Sequence, residues 1–550
     1  MAGIGASESM RLSGYIADVE SGMFFQGKIS IKGGKIEKIE RCEVENPQYI
    51  LPGLVDSHVH IESSMLTPSE FARVAVRNGV VAVVADPHEI ANVMGVEGVR
   101  FMMDNADQAK LKFYWGVPSC VPAAPFDISG AILGASEVGE LLSDPRATHL
   151  GEMMNFPGVV SNDPEVLAKI EKAKQLDKPV DGHAPGLAGE DLKKYVASGI
   201  STDHEAIDIC EAEEKLHLGM KILIREGSAA KNFENLYPLV NQYPSQVMFC
   251  TDDCHPDDLL KGTINLLVKR GVKKGLDFFN LIKAASINPV KHYNLGVGQL
   301  RVGEPADFIV VDNPDDFNIR QTYINGEQVY SSEEDIVLPT VKVNPINNFK
   351  AKQINTKSLE VVAKGGKKIR VMEVIDKEIY TKLLEVELTV ADGKVVPDLD
   401  KDILKIVVVN RYEPTLPVVG FVKGTGITYG AICSSVAHDS HNIIAIGADD
   451  SSLVEVINEI IEAKGGIGVH NGKATEIFPL PIAGIMSTEI AEAAAAAYEY
   501  LQEKAKRLGT TLTAPFMIMA FLALIVIPEL KIAAGGLFDV TKFQPVDLFV

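Results

Sequence analysis

Cysteine is scarce in this chain. The 550 residues contain six cysteines, and no two of them have the C-x-x-C spacing. Disulfide frameworks and zinc ribbons both depend on closely spaced cysteine pairs, so the sequence argues against these two classes of protein. Sparse, unpaired thiols are typical of a reducing compartment, and we therefore expect a cytoplasmic protein.

Basic residues and long apolar runs are also limited. Lysine and arginine number 53 against 74 aspartates and glutamates, which gives a formal net charge of -21. A surface that binds nucleic acid needs clustered basic residues, so we expect no nucleic-acid partner. The longest apolar run, residues 516–527, has 12 residues, whereas a membrane span needs about 20. We expect a buried core segment there and no membrane partner.

The first ten residues contain no apolar core, and we therefore expect no secretory signal. The total length predicts two to four domains. A small neutral or cationic substrate is compatible with the acidic balance, although net charge alone selects none.

Three regions differ in the spacing of their apolar residues. Residues 10–50 and 300–340 alternate apolar and polar side chains as short strands do, and we expect one small β-sandwich domain built from both. Residues 51–299 have the length of a (β/α)8 barrel. Residues 341–550 mix strand and helix patterns. The predicted fold class is therefore α/β, a (β/α)8 TIM-type barrel with a small flanking β-sandwich and an additional C-terminal α/β domain.

Eight short apolar runs in the middle region alternate with helical patterns, which is typical of a parallel sheet. The runs cover residues 50–55, 80–85, 111–117, 148–153, 179–181, 199–202, 221–224 and 246–250. In a barrel of this kind the active site lies at the carboxyl ends of the strands. The residues that end or follow each run are therefore the candidates for function.

Histidines and carboxylates are concentrated at these run ends, where five of the 12 histidines lie. The candidates, in chain order, are His58, His60, Asp86, His88, Glu89, Glu152, His183, His204, Arg225, Glu226 and Asp252. His58 and His60 are two residues apart, so in a strand both imidazoles point to the same side and can bind one cation.

Four histidines and two carboxylates are enough to bind two metal ions. The predicted ligands are His58, His60, Glu152, His183, His204 and Asp252. A bridging carboxylate, Glu152, could hold two cations about 3.5–4 Å apart, and such ions lower the pKa of a shared water toward neutrality. Asp252 could take the proton of that water and deliver it to the leaving group. The pattern predicts metal-assisted hydrolysis of a C–N bond.

The other strand-end residues have more than one interpretation. Asp86 and His88, with Glu89 beside them, could line a substrate pocket, bind another metal, or cap the helix that follows. Arg225 and Glu226 could contact substrate or form a structural ion pair. We predict that all five residues, Asp86, His88, Glu89, Arg225 and Glu226, bind the substrate.

Several segments resemble a known family. Residues 52–60, Pro-Gly-Leu-Val-Asp-Ser-His-Val-His, resemble the first-strand signature of the amidohydrolase superfamily, metal-dependent hydrolases on (β/α)8 barrels with a flanking β-sandwich. Most binuclear members have a carboxylated lysine at the end of strand four, where this chain has Glu152. That difference, together with residues 85–93 and 181–186, resembles the bacterial and archaeal adenine deaminase family.

The resemblance covers the whole chain, since residues 435–443 resemble that family's extra C-terminal domain. These residues include His438 and His441, three apart in a predicted loop. The two histidines could reach over the barrel mouth or belong only to the structure of the C-terminal domain.

The resemblance implies hydrolytic deamination of adenine, a purine, to hypoxanthine and ammonia at a binuclear centre containing Mn²⁺, with Fe²⁺ or Zn²⁺ as alternatives. His58 and His60 would bind one ion together with Asp252, while His183 and His204 would bind the other. Glu152 would bridge the two ions. Asp252, Glu152 and His204 are the residues that we predict to be catalytic. We also expect a homo-oligomer, specifically a dimer.

Two other functions stay open from the sequence. A cyclic amidase of the dihydroorotase or hydantoinase type shares the barrel and the paired histidines, but would be expected to have lysine in place of Glu152. A metal-binding scaffold without catalysis would leave Asp252 and the pocket residues without a purpose.

Overall fold

The computed structural model describes residues 10–45 and 48–550. Residues 1–9, which make up most of the segment for which we expect no secretory signal, lie outside the described residues, as do residues 46–47. Within the described part, no helix has both the length and the apolar character that crossing a membrane requires.

The first twelve strands belong to the N-terminal region and the barrel. Before the barrel come β1 (Met10–Asp18), β2 (Met23–Lys32), β3 (Lys35–Arg41) and β4 (Tyr49–Pro52). The barrel strands are β5 (Leu54–Val59), β6 (Val80–Ala85), β7 (Lys112–Val117), β8 (Ala147–Met153), β9 (Val180–Gly182), β10 (Thr202–Asp203), β11 (Lys221–Arg225) and β12 (Val247–Cys250).

Helices connect the barrel strands and follow the last one. They are α1 (Pro68–Ala75), α2 (His88–Ala106), α3 (Ala135–Leu142), α4 (Phe156–Val160), α5 (Pro164–Gln175), α6 (Gly189–Ala197), α7 (Ile209–His217), α8 (Phe233–Leu236), α9 (Leu239–Gln242), α10 (Pro256–Lys261), α11 (Ile264–Lys273), α12 (Phe278–Ile282) and α13 (Asn288–His292). Three strands follow, β13 (Phe308–Val311), β14 (Ile319–Ile324) and β15 (Glu327–Ser331).

The barrel consists of eight parallel strands that close on themselves. Parallel pairing runs from β5 to β9 and from β10 to β12. Single bridges join Val180 to Ile200 and Val59 to Asp252, and these two bridges complete the ring. The strands are rich in β-branched residues, and β6 is buried along its whole length, as strands covered on both faces are. The predicted barrel is confirmed.

The predicted first run, residues 50–55, belongs to two sheets. Strand β4 pairs with β1 and β13 in a seven-stranded sheet of order β15-β14-β13-β4-β1-β2-β3. The chain then turns at Gly53 and enters the barrel as β5. A Cβ at Gly53 would lie 2.3 Å from a methyl carbon of Val81, so only glycine fits where the two sheets meet.

The C-terminal region contains the remaining elements. Its strands are β16 (Val361–Val362), β17 (Lys368–Val374), β18 (Thr381–Glu387), β19 (Val390–Ala391), β20 (Lys394–Val395), β21 (Ile403–Val409), β22 (Val418–Lys423), β23 (Ala431–Ser434), β24 (Ile443–Gly447), β25 (Gly466–His470), β26 (Thr475–Pro479), β27 (Leu530–Ala533), β28 (Gly536–Asp539) and β29 (Gln544–Val546). Its helices are α14 (Asp450–Ala463), α15 (Ala491–Arg507) and α16 (Pro515–Phe521).

An eight-stranded sheet of order β18-β17-β22-β21-β24-β23-β25-β26 organises this region. The predicted buried segment at residues 516–527 begins within α16, and its side chains are almost entirely buried. Apolar side chains from the barrel and from this sheet, such as Val83 and Ile432, belong to one continuous core. The C-terminal region therefore packs directly on the barrel.

A buried ion pair fixes the end of β10, where His204 lies. Lys215 is fully buried, and its Nζ donates to Asp203 Oδ2 at 2.9 Å and to the Ala184 carbonyl at 2.8 Å. Asp203 also accepts the backbone N–H groups of Ala184 and Glu205. Breaking such a pair leaves an uncompensated charge in the interior.

We expect Lys215→Met to lower the free energy of unfolding by about 3–5 kcal/mol, because the Asp203 carboxylate then stays buried without its cation. Urea unfolding measured at constant pH checks this value. The control is Lys194→Met, because Lys194 pairs with Asp191 at the surface and should cause no measurable change. Equal midpoints for the two variants would show that Lys215 is not needed.

Candidate metal centre and active site

The six predicted metal ligands meet at the carboxyl-terminal mouth of the barrel. His58 lies within β5 and His60 follows it, Glu152 lies within β8, and His183, His204 and Asp252 follow β9, β10 and β12. All six side chains are buried. The barrel brings together residues that are separated by up to 194 positions in the chain because the ends of all eight strands face the same side.

The Glu152 carboxylate lies between two pairs of imidazoles. Its Oε1 atom is 3.2 Å from His60 Nε2 and 3.8 Å from His58 Nε2. Its Oε2 atom is 2.8 Å from His183 Nδ1 and 3.2 Å from His204 Nε2. Each oxygen therefore faces one pair, which is the arrangement that a carboxylate needs to bridge two cations.

Asp252 is the second carboxylate that lies close to the imidazoles of His58 and His60. Its Oδ1 atom is 3.0 Å from His60 Nε2 and 3.4 Å from His58 Nε2. The Asp252 N–H donates to the His58 carbonyl at 2.9 Å, and the Asp252 carbonyl accepts the His60 N–H at 3.2 Å. Its φ of 58° is in the left-handed region, which is uncommon for a residue other than glycine and is concentrated at functional sites. Barrel closure thus sets the position of this carboxylate.

Both central carboxylates are held in their ionised form. Burial raises the pKa of Glu152, but His204 and His183 outweigh burial and hold that pKa well below its usual range. Burial likewise raises the pKa of Asp252, and His204 is the largest of the influences that hold it well below the usual value. The ionised form is the one that binds a cation.

The donor atoms fit a divalent cation. His58 Nε2 and His60 Nε2 are 3.1 Å apart, and two facing nitrogen lone pairs need a proton or a cation between them. The sets whose donor atoms lie within 4.8 Å of one another include His58, His60 and Glu152; Glu152, His183 and His204; and His58, His204 and Asp252. Imidazole and carboxylate donors suit Mn²⁺, Fe²⁺ and Zn²⁺.

Asp86 supports the cluster from behind and does not line the cavity. Its Oδ2 atom accepts the Glu152 N–H at 2.9 Å. A Cβ on Gly151 would lie 2.3 Å from that oxygen, so the glycine in β8 makes room for the carboxylate. The Asp86 carboxylate is thus turned toward the strand that carries Glu152, and its contact with substrate stays a prediction from the sequence.

Glu226 also lies away from the cluster, and its role in substrate binding stays a prediction from the sequence. Its Oε1 atom accepts a hydrogen bond from Arg270 Nη1 at 2.5 Å, and the two side chains form the structural ion pair that was the alternative interpretation. Arg225 and Glu226 are consecutive, and consecutive side chains of an extended segment point to opposite sides. Only Arg225 can therefore point into the barrel.

Arg225 connects Asp252 with Glu205, a carboxylate that is not among the candidates from the sequence. Its Nη1 atom donates to Asp252 Oδ2 at 2.8 Å, and Nη2 donates to Glu205 Oε2 at 2.9 Å. Glu205 Oε1 is 3.3 Å from both His183 Nδ1 and His204 Nε2. The signal for Glu205 was its position next to His204 at the end of β10.

His88 and Glu89 begin α2 and both line the cavity. His88 Nδ1 is 3.5 Å from Glu152 Oε1, and His88 Nε2 is 3.3 Å from Glu89 Oε1. These two predicted pocket residues therefore connect the metal ligands to the outer part of the cavity.

Two histidines of the C-terminal region reach the barrel mouth and bind Glu89. His438 Nδ1 donates to Glu89 Oε1 at 2.6 Å, and His441 Nε2 donates to Glu89 Oε2. The Ala437 N–H donates to His441 Nδ1 at 3.1 Å, so the proton of the neutral ring is on Nε2 and His441 acts as a donor rather than a metal ligand. Burial lowers the pKa of His438, but Glu89 and other carboxylates outweigh it and raise the pKa to about 9.

Six residues of the C-terminal region line the cavity above the ligands: Ile379, His438, Asp439, Phe521, Leu524 and Ile527. Except for His438, the sequence analysis does not single them out, because nothing local marks a side chain that reaches another domain. The cavity has a volume of about 30 Å³, which is enough for a water molecule.

Comparisons with known proteins show the family to which the chain belongs. The profile of the amidohydrolase family matches residues 49–329, just over half of the chain, and this range contains all eight barrel strands. The chain belongs to the amidohydrolase family, whose members use a divalent metal. A second profile, that of the adenine deaminase C-terminal domain, matches residues 378–544.

Curated relatives extend the match to nearly the full length. The adenine deaminase of Methanosarcina mazei is 52% identical over 548 residues, which cover 98% of this chain and 99% of the relative. The adenine deaminase of Methanosarcina acetivorans is 51% identical over 546 residues, with 98% and 99% coverage. That of Salinibacter ruber is 47% identical over 544 residues, also with 98% and 99% coverage. Within the amidohydrolases, the chain belongs to the adenine deaminase family.

We expect Glu152→Gln to lower the metal content of the Mn²⁺-loaded protein by at least half, because one carboxylate oxygen becomes an amide nitrogen that cannot bind a cation. Elemental analysis after removal of free metal measures this content. Glu226→Gln is the matched control, since Glu226 pairs with Arg270 outside the cluster. Full metal content in Glu152→Gln would contradict a bridging carboxylate.

Proposed function

We propose that this protein hydrolyses adenine to hypoxanthine and ammonia. Water adds to C6 of the purine, the bond between C6 and the exocyclic nitrogen breaks, and the oxygen stays on the ring. The observation that carries this proposal is the position of Glu152 between two pairs of histidines, at the strand end where cyclic amidases would be expected to have lysine. The full-length similarity to adenine deaminases supports the same reaction.

We infer a binuclear centre loaded with Mn²⁺, with Fe²⁺ or Zn²⁺ as alternatives. His58 and His60 with Asp252 would hold one ion, His183 and His204 the other, and Glu152 would face both. When bound, such ions lower the pKa of a water molecule toward neutrality and so supply the nucleophile at physiological pH. The paired distances from Glu152 to the four imidazoles support this assignment.

Asp252 is the residue that moves the proton. Its Oδ1 atom lies beside the first histidine pair, where it accepts a proton from the attacking water and returns it to the leaving amino nitrogen. Arg225 holds the other oxygen, Oδ2, and so fixes the orientation of the carboxylate. His204, beside Glu152, is the third residue that we assign to catalysis because its Nε2 atom faces the bridging carboxylate.

The polar edge of adenine meets the charged side chains of the cavity. His88, Glu89, Arg225 and Glu205 surround the ligands and carry the donors and acceptors that recognise ring nitrogens. The side chains around the ligands are buried, and hydrogen bonds inside such a site are stronger than in bulk solvent. We therefore assign substrate binding to these four residues.

The domain division also remains a proposal. Residues 10–50 with 300–340 form one unit, residues 51–299 the barrel and residues 341–550 the C-terminal domain, and the seven-stranded sheet that joins β1–β4 to β13–β15 supports the first of these. The dimeric assembly and the cytoplasmic location stay predictions from the sequence.

We expect the purified, Mn²⁺-loaded protein to release ammonia from adenine and to form hypoxanthine in equal amount. Chromatography of the products and an ammonia assay measure both. Dihydroorotate and hydantoin serve as substrates for comparison and should not react, because their hydrolysis is the activity of the cyclic amidases. Turnover of either ring amide without turnover of adenine would overturn the proposed function.

We expect Asp252→Asn to lower kcat for adenine by about 100-fold to 10,000-fold, since a positioned proton-transfer group contributes that much. The metal content should stay close to that of the wild type because the four histidines and Glu152 remain. Asp258→Asn is the control, as Asp258 pairs with Ser228 and Lys261 outside the cluster. An unchanged kcat in Asp252→Asn would remove this residue from the mechanism.

A further inference from the structure

The barrel and the C-terminal domain contribute different chemistry to the cavity. The barrel supplies charged and polar side chains, with Met154 and Ala230 as its apolar contributions to the lining. The C-terminal domain supplies the larger apolar surface, from Ile379, Phe521, Leu524 and Ile527. A purine has a polar edge and two apolar faces, so a site made by the barrel alone would recognise the edge and leave the faces uncovered.

Phe521 is the aromatic member of this apolar surface. It ends α16, is only 6% exposed, and stacks on the His438 ring with the centroids 4.7 Å apart and the planes at 14°. His438 in turn donates to Glu89 in the barrel at 2.6 Å. The position of the Phe521 ring is therefore linked through two contacts to the helix that carries His88 and Glu89.

The backbone carbonyl of Phe521 also accepts a hydrogen bond from a buried lysine. Lys531 is fully buried, and its Nζ donates to the Phe521 carbonyl at 3.0 Å and to the Ile379 carbonyl at 2.7 Å. These two lining residues are 142 positions apart in the chain. The Lys531 side chain thus fixes two separate segments of the apolar surface relative to each other.

We propose that Phe521 forms the wall that covers one face of the purine ring, and that it makes the site prefer flat heteroaromatic rings over saturated ring amides. The proposal rests on the proposed function, because it names how that same site recognises its substrate. Stacking of a base on an aromatic side chain is favourable for any flat ring and requires no hydrogen bond. The cavity of about 30 Å³ is smaller than a purine, so binding of the ring requires the lining to rearrange.

The test compares Phe521→Leu with Phe516→Leu. Phe516 lies in the same helix, is equally buried at 2% exposed, and contacts Tyr498 rather than the cavity. We expect the KM for adenine to rise about tenfold or more in Phe521→Leu, with kcat within about threefold of the wild type, because the wall contacts substrate and transition state alike. Phe516→Leu should leave both parameters within about threefold.

Equilibrium dialysis of adenine and hypoxanthine against the Mn²⁺-loaded variants provides a readout that does not depend on turnover. The dissociation constants should rise in Phe521→Leu by the same factor as KM, and Phe521→Met, which is long and apolar but has no ring face, should behave likewise. Metal content and thermal midpoint establish that each variant is folded. Unchanged purine affinity in a folded Phe521 variant would contradict the proposal that Phe521 covers one face of the purine ring.

The outcome is separable from that of the proposed function. A wild-type protein that binds purines but releases no ammonia would contradict the deamination, while the dialysis comparison would still decide whether Phe521 covers the ring. If the wild-type protein deaminates adenine but Phe521→Leu and Phe516→Leu have equal KM values, the proposed function stands. The proposal that Phe521 covers the purine ring is then wrong.

Discussion

The buried carboxylate of Glu152 is the constraint around which the barrel mouth is arranged. A charged group in the interior is costly unless it is paired and hydrogen-bonded. Glu152 meets this requirement because each of its two carboxylate oxygens faces two imidazoles. The surrounding structure then keeps the strand in place. The Glu152 N–H donates to Asp86, and Tyr195 accepts the His183 N–H while donating to the Met153 carbonyl, so β8 and β9 are tied together directly at the ligands.

Closure of the barrel determines the second carboxylate. Asp252 exchanges backbone hydrogen bonds with the segment from His58 to His60, and it adopts a left-handed backbone conformation to do so. A side chain on an ordinary extended strand end would point elsewhere. Arg225 then joins Asp252 to Glu205, and its positive charge helps to keep both carboxylates ionised. The catalytic assignment of Asp252 depends on this geometry more than on its residue type.

The C-terminal domain completes a site whose chemistry the barrel already contains. His438 and His441 donate to Glu89 from above, and the apolar segment around Phe521 covers the opening. A metal-dependent hydrolase benefits from this division of roles, because charged ligands can stay fixed in the rigid barrel while a separate surface encloses the substrate. The full-length similarity to adenine deaminases indicates that both parts belong to one enzyme.

The ligand set follows from strand periodicity in the sequence. The alternation of side chains and the rule that barrel strands end on one side predict that six residues lie together: His58, His60, Glu152, His183, His204 and Asp252. Only the tertiary structure decided which way the neighbouring groups face: Asp86 turns behind Glu152 because Gly151 leaves room, Glu226 points outward because it follows Arg225, and Phe521 arrives from another domain. Periodicity is a property of neighbouring residues, whereas these contacts join residues distant in the chain, and packing alone selects them.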